Sequence, residues 1–359
     1  MSSLSFRKIS AVLCAVLCAA LLLVMTLLSL LTMQPAHAAT NGKVLNYLYS
    51  ISGTKTLSGQ HNREPNSDPA KWTNWIYSVT GWYPGLWGGD FLYLYDDVQP
   101  CNRWKMITEA KNQWDNGALV TLMWHVCPPT IPEPCGWEDG IMSDLTDIQW
   151  TELVSDGTAL NNQWKARIDT IVPYLQYLKC NGVEVLWRPL HEMNDDTPQP
   201  GRQPGWCWWC GRPGPEGSRK LYQITHDYMS NTKGLTNLIW VWNIKDVTTT
   251  LTPTLEYYPG DNYVDVVSLD PWIDQNFPMG NYSMTLAIAE DKPIAIGETG
   301  RLPSSSLLAT QPRWTWFLGW AELVSASNTI TEIRAVYNDC LVVNRGRIKI
   351  CVWLPVITK

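Results

Sequence analysis

A single (β/α)8 barrel, an α/β fold with one domain over residues 39–359, is what this sequence predicts, on three observations. Short β-branched or apolar runs recur eight times, amphipathic stretches lie between them, and no Ser/Thr/Pro-rich linker divides the chain. Strands alternating with helices over about 250 residues or more are the repeat of that architecture. With 45% hydrophobic and 17% charged residues, the chain is too apolar and too lightly charged to be disordered.

Taken in order, residues 1–38 stand outside the fold. Arg7 and Lys8 form a positive start, Ala11 to Met33 carries no charge, and Ala36-His37-Ala38 is a small-x-small site, so a secretory signal cleaved after Ala38 is expected. The expected location is therefore extracellular, without stable membrane association after cleavage. The competing reading is a retained anchor, since about 20 apolar residues can span a bilayer. Removing residues 1–38 leaves 25 Lys+Arg against 33 Asp+Glu, a net charge of −8. That acidic balance argues against a nucleic-acid partner, which would need a basic face.

The strands expected next are Thr56–Gln60, Gly85–Phe91, Leu119–His125, Val183–Pro189, Leu238–Asn243, Val264–Asp270, Pro293–Gly297 and Thr315–Trp320. Between the third and fourth, Leu160, Trp164, Ile168, Ile171, Leu175 and Leu178 recur at spacings of three and four, predicting one helix over Ala159–Leu178. Shorter helices are expected at Arg103–Trp114, Gly217–Thr232, Ser283–Ala289 and Thr329–Tyr337. Outside the signal there are eight cysteines, and export makes disulfides their first reading. Cys127–Cys135 and Cys340–Cys351 are short-loop pairs, while Cys207-Trp-Trp-Cys210 reads as a loop staple better than as a redox or zinc motif.

A barrel of this kind draws its catalytic groups from the C-terminal ends of its strands. Those ends carry Gln60-His61-Asn62-Arg63, Asp90, His125, Arg188 with His191-Glu192, Asn243, Asp270 and Glu298. Strands four and seven lie on opposite sides of the barrel, so Glu192 and Glu298 should face each other across its mouth. Two facing carboxyls suit glycosidic-bond cleavage, in which one protonates the leaving oxygen and the other attacks the sugar carbon or activates water. A metal-dependent hydrolase would add several histidines, and the chain has five in all; no metal or cofactor is expected.

The motifs resemble those of glycoside hydrolase family 26, best known for endo-β-1,4-mannanases. The resemblance covers nearly the whole mature chain and rests on LSGQHN (Leu57–Asn62), Trp124-His125, WRPLHEMN (Trp187–Asn194), NLIWVWN (Asn237–Asn243), YVDVVSLD (Tyr263–Asp270), KPIAIGETG (Lys292–Gly300) and WTWFLGW (Trp314–Trp320). It implies that Glu192 is the acid/base and Glu298 the nucleophile of a retaining mechanism on a polysaccharide, by an enzyme expected to be a monomer. Arg188 would keep Glu298 ionised, His191 would sit beside the catalytic sugar or brace its loop, and His125, Arg188 and Asp270 would contact substrate.

The 21 tryptophans against four phenylalanines suggest use beyond packing, because an indole stacks on the apolar face of a pyranose. Trp320 is the expected platform at the cleavage point, with Trp208, Trp209 and Trp272 at neighbouring subsites and Trp164 in the core. The sequence departs from the family pattern at two places. Asp195–Gly205 intervenes in the loop after HEMN, which bears on chain specificity, and Trp272 stands where the family commonly has a tyrosine bonded to the nucleophile, so either its indole N–H substitutes imperfectly or another tyrosine serves. The same chemistry on mixed-linkage glucan or β-1,3-xylan, or an inactive sugar-binding barrel, are the alternatives.

Overall fold

In a computed structural model, which describes residues 42–348 apart from 64–65 and 248–250, eight parallel strands close into a barrel. They are β1 (Thr56–His61), β2 (Leu86–Asp90), β3 (Leu119–Met123), β4 (Val185–Arg188), β5 (Leu238–Lys245), β6 (Val266–Asp270), β7 (Ile294–Thr299) and β8 (Trp314–Trp320). Each falls on one of the expected runs, with no end shifted by more than two residues. Closure comes from β8 against β1, with Leu57 opposite Trp316 and His61 opposite Trp320, and from β1 against β2, with Gly59 opposite Leu86. The expected signal segment, Cys14, Cys18 and Cys351 lie outside the described residues, and the Cys340–Cys351 pairing with them.

Helices pack outside the barrel, as βαβ crossovers require. They include α1 (Lys43–Ile51), α2 (Lys71–Thr80), α3 (Pro100–Asp115), α4 (Asp147–Val154), α5 (Ala159–Asp169), α6 (Val172–Cys180), α7 (Ser218–Asp227), α8 (Met279–Ala289) and α9 (Ile330–Asn338). The single helix expected over Ala159–Leu178 is thus two. Pro173 has no N–H to offer the carbonyl of residue 169, and the chain tightens there through Thr170 N–H to Arg167 O and Ile171 N–H to Ile168 O before α6 begins. The helix expected over Gly217–Thr232 ends at Asp227, and Tyr228–Thr232 is one turn of wider π-helix.

Two elements that the apolar runs do not announce complete the barrel's N-terminal end. Helix α1 packs Val44, Leu45, Leu48 and Ile51 with the inward residues Leu57, Leu86, Leu119, Leu186, Ile239 and Trp316, closing the floor. A two-residue strand, β9 (Val342–Val343), pairs with Thr56 and Leu57 at the start of β1. Gly85 lies where these chains converge, since a Cβ there would stand 2.7 Å from the Val343 carbonyl oxygen. With the floor sealed, the open end is the rim formed by the strands' C-termini.

The Cys127–Cys135 and Cys207–Cys210 disulfides both form, in rim loops. Among the described residues no helix is long and apolar enough to cross a membrane.

Candidate active site

Strands β4 and β7 bring Glu192 and Glu298 together as their positions around the barrel require. One carboxyl oxygen each of Glu192, Asp270 and Glu298 lies within 4.8 Å of the others. A metal ion could use such a spacing, but the cation held within this cluster is the Arg188 guanidinium. It donates from Nη1 to Asp270 Oδ2 at 3.0 Å and from Nη2 to Glu298 Oε1.

Arg188 and Asp270, both expected against substrate, are instead almost fully buried beneath the cleft and are not among the residues that line it. Their placement follows from electrostatics: a buried guanidinium needs carboxylate partners and a buried carboxylate needs donors. Asn243 donates to Asp270 Oδ1 and to Ser268 Oγ, both at 2.8 Å, completing a network under Glu298. Gly297 makes room for it, since a Cβ there would lie 2.5 Å from Asp270 Oδ1 and 2.7 Å from Asn243 Nδ2.

Glu192 sits on a tightly turned loop. Leu190 and Glu192 are both non-glycine residues with positive φ, 50° and 54°, a conformation costing on the order of 1–3 kcal/mol each. The turn is held by Asn243, whose Oδ1 accepts the Glu192 N–H at 3.1 Å, and by the Asp195 N–H bonded to the Glu192 carbonyl at 2.9 Å. Its carboxyl is fixed by the Trp206 indole N–H, 2.6 Å from Oε2, with the Lys245 ammonium 3.6 Å away.

The two carboxyls differ in what opposes their burial. Burial pushes Glu192 up to about 7; Lys245 and the Trp206 N–H counter this, while Glu298 adds to it. Burial also pushes Glu298 upward, against the charge and hydrogen bond of Arg188. A guanidinium in direct contact favours the ionised form more than an ammonium already 2.9 Å from Asp195. The surroundings thus favour ionisation of Glu298 more than that of Glu192. Burial also pushes Asp270 above its ordinary value, with the Arg188 guanidinium opposing.

The cleft above has a volume of about 420 Å³ and is lined by His125, His191, Glu192, Trp206, Lys245, Trp272, Glu298 and Trp320, with Arg63, Leu92, Tyr93, Trp137 and Leu323 around them. His125 and His191 meet edge to face with ring centres 4.6 Å apart. Asp90 fixes the His125 ring, with Oδ2 2.5 Å from Nδ1, so that Nδ1 carries the proton. Burial, and then the neighbouring His125 and Arg188, push His191 well below its usual range and keep it neutral. Trp320 stacks on His61 at 4.2 Å and meets Trp272 edge-on at 6.4 Å. The donor to Glu298 is Arg188; Trp272, in the place of the family's tyrosine, is a cleft-wall ring.

Trp208 and Trp209, expected at subsites, are fully buried and offer no face to a sugar. A buried indole N–H needs an acceptor, and theirs are the Val126 carbonyl at 2.7 Å and the His191 carbonyl at 2.8 Å, so both brace the loops behind the cleft. The tryptophan of the Trp206-Cys-Trp-Trp-Cys210 run that reaches the cleft is the half-buried Trp206, which lies nearly parallel to Trp137 at 5.4 Å. Lys245, also unforeseen, had a signal. It is two residues beyond Asn243, and strand alternation puts both on one face.

The sequence matches the profile of glycosyl hydrolase family 26 over residues 33–347. It is 33% identical over 298 residues to a mannan endo-1,4-beta-mannosidase of Thermothelomyces thermophilus, covering 80% of this chain and 56% of that protein. The chain thus spans little more than half the length of that relative. GH26A from Muricauda sp. MAR_2010_75 superposes with a TM-score of 0.79 at 30% identity, over 88% of this chain and all of that one. A GH26-CBM35 beta-(1,4)-mannanase of Podospora anserina gives a TM-score of 0.69 at 30% identity, over 88% of this chain and 68% of that one.

Proposed function

The chain belongs to glycosyl hydrolase family 26, and from that premise we propose that it is a secreted enzyme cleaving internal β-1,4-mannosidic bonds of mannan, glucomannan or galactomannan by double displacement. The Glu298 carboxylate attacks the anomeric carbon as the bond to the leaving sugar breaks, and the Glu192 proton passes to the leaving oxygen. In the second step Glu192, now ionised, takes a proton from water, whose oxygen displaces Glu298 from the anomeric carbon. The configuration is retained and both carboxyls return to their starting state.

The observation that carries this reading is the spacing of the pair. Retaining enzymes hold their carboxyls about 5–5.5 Å apart, inverting ones about 6.5–9.5 Å apart to admit water. The approach of Glu192 and Glu298 to within 4.8 Å supports the former. Their unequal settings support the assignment of roles. Two ring pairs in the cleft lining, Trp272 with Trp320 and Trp137 with Trp206, support binding of several sugar units of a chain.

The test is a panel of mannan, galactomannan, glucomannan, lichenan and β-1,3-xylan, with product sizing and proton NMR of the first-formed anomer. Short oligosaccharides from the mannans, appearing first as the β-anomer, are expected. Activity on lichenan alone would reject the substrate, and an initial α-anomer would reject the mechanism.

A further inference from the structure

Lys245 is the one cleft-lining residue whose charge stands beside Glu192 without belonging to the Arg188 network. Its backbone is clamped, with N–H donated to Asn194 Oδ1 at 2.8 Å and its carbonyl accepting from Asn194 Nδ2 at 2.9 Å. This ties the end of β5 to the loop that carries Glu192. The ammonium rests 2.9 Å from Asp195 Oδ2 and 3.6 Å from Glu192 Oε2, so it stands between two carboxyls at unequal range. Asp195 is itself fixed, because its Oδ1 accepts from the backbone N–H and the hydroxyl of Thr197.

We propose that Lys245 is a positioning residue for the acid/base: its ammonium rests on Asp195 while Glu192 is protonated and swings toward Glu192 when that carboxyl gives up its proton. This rests on the reading of Glu192 as the acid/base. In the first step a short approach of the ammonium stabilises the charge left on Glu192. In the second, the ammonium releases Glu192 as it takes the proton from water. The other charged or titratable groups around Glu192 and Lys245 are Glu298 on β7, Asp270 on β6, Arg188 on β4, His125 beyond β3, Asp246 next to Lys245 in the chain, and His191 and Asp195 on the Glu192 loop. Lys245 is the cation among them that can move between partners, for Arg188 is bonded to both Asp270 and Glu298.

The test compares pH profiles of kcat/KM and kcat on a mannooligosaccharide for the wild type, K245M, K245R, D195N and E192Q. An opposite charge within a few ångströms moves a carboxyl by about one unit or more, so K245M should move the alkaline limb upward by about one unit and lower kcat roughly tenfold. K245R should restore both. D195N removes a like charge and leaves the ammonium to Glu192, so its limb should move the opposite way, toward acid. An alkaline limb unmoved in both K245M and D195N, in proteins with wild-type melting curves, would overturn the proposal, as would a change in KM alone. If K245M fails to fold, the direction of the D195N shift decides. A limb that persists in E192Q would instead reject the acid/base reading, and the proposal with it.

Discussion

At the scale of single residues, the proposed mechanism makes the Glu192 carboxyl the group that sets the pH dependence. As the proposed acid it must be protonated for the first step, and a carboxyl pushed up to about 7 predicts an alkaline limb of activity near pH 7. The same shift affects stability. A carboxyl raised on folding contributes stability that is fully present below its unfolded value, near 4.5, and is lost as pH rises through about 7. E192Q should lower kcat on mannan by about 10²–10⁴-fold and flatten the fall of melting temperature between those two pH values, as calorimetry across the range would show. Glu298 was legible in the sequence because it ends a buried apolar run, and Glu192 because it stands in the short loop that follows one, positions that have meaning once a barrel is inferred. Trp206 was not legible, because three indoles in five residues do not say which faces out; burial chose Trp208 and Trp209 for the interior.

At the scale of elements, the strands carry the site and the loops adjust it. β6, β5 and β7 supply Asp270, Asn243 and Gly297 to one packed layer in which the absence of a side chain matters as much as the polar groups. G297A should push a methyl against Asp270 and Asn243, at a cost of about 1–3 kcal/mol for overpacking, and disturb Arg188 and hence Glu298. A drop in kcat of roughly a hundredfold or more, with the fold intact by circular dichroism, is the expected outcome; wild-type kcat would show that the layer yields freely. The floor makes a separate prediction. The Glu184 carboxylate accepts the N–H groups of Lys43 and Val44 at 2.9 and 2.7 Å, capping α1. E184A should destabilise the protein by about 1–2 kcal/mol, measured by thermal melting, with kcat unchanged. Neither α1 nor β9 was foreseen. The eight barrel strands announce themselves as continuous apolar runs because both faces are covered, whereas α1 is a short helix with one buried face and β9 is two residues long. The break between α5 and α6 was masked by an apolar periodicity that continues through Pro173.

At the scale of the whole molecule, the family 26 barrel uses tryptophan in at least two ways. Trp87, Trp187, Trp242, Trp314 and Trp316 are fully buried packing, whereas Trp137, Trp206, Trp272 and Trp320 line the cleft. The aromatic lining of the cleft predicts that truncating Trp206 to alanine weakens long substrates more than short ones, read as a larger rise in KM for a mannohexaose than for a mannotriose. The central claim, that Glu298 forms a covalent bond to the sugar while Glu192 moves the proton, is tested most directly by trapping. Incubation with a 2-deoxy-2-fluoro-mannosyl donor bearing an activated leaving group, followed by proteolysis and mass spectrometry, should place one fluorosugar on the peptide that contains Glu298. A label on any other residue would contradict the account, as would turnover of the unfluorinated donor with inversion and no label.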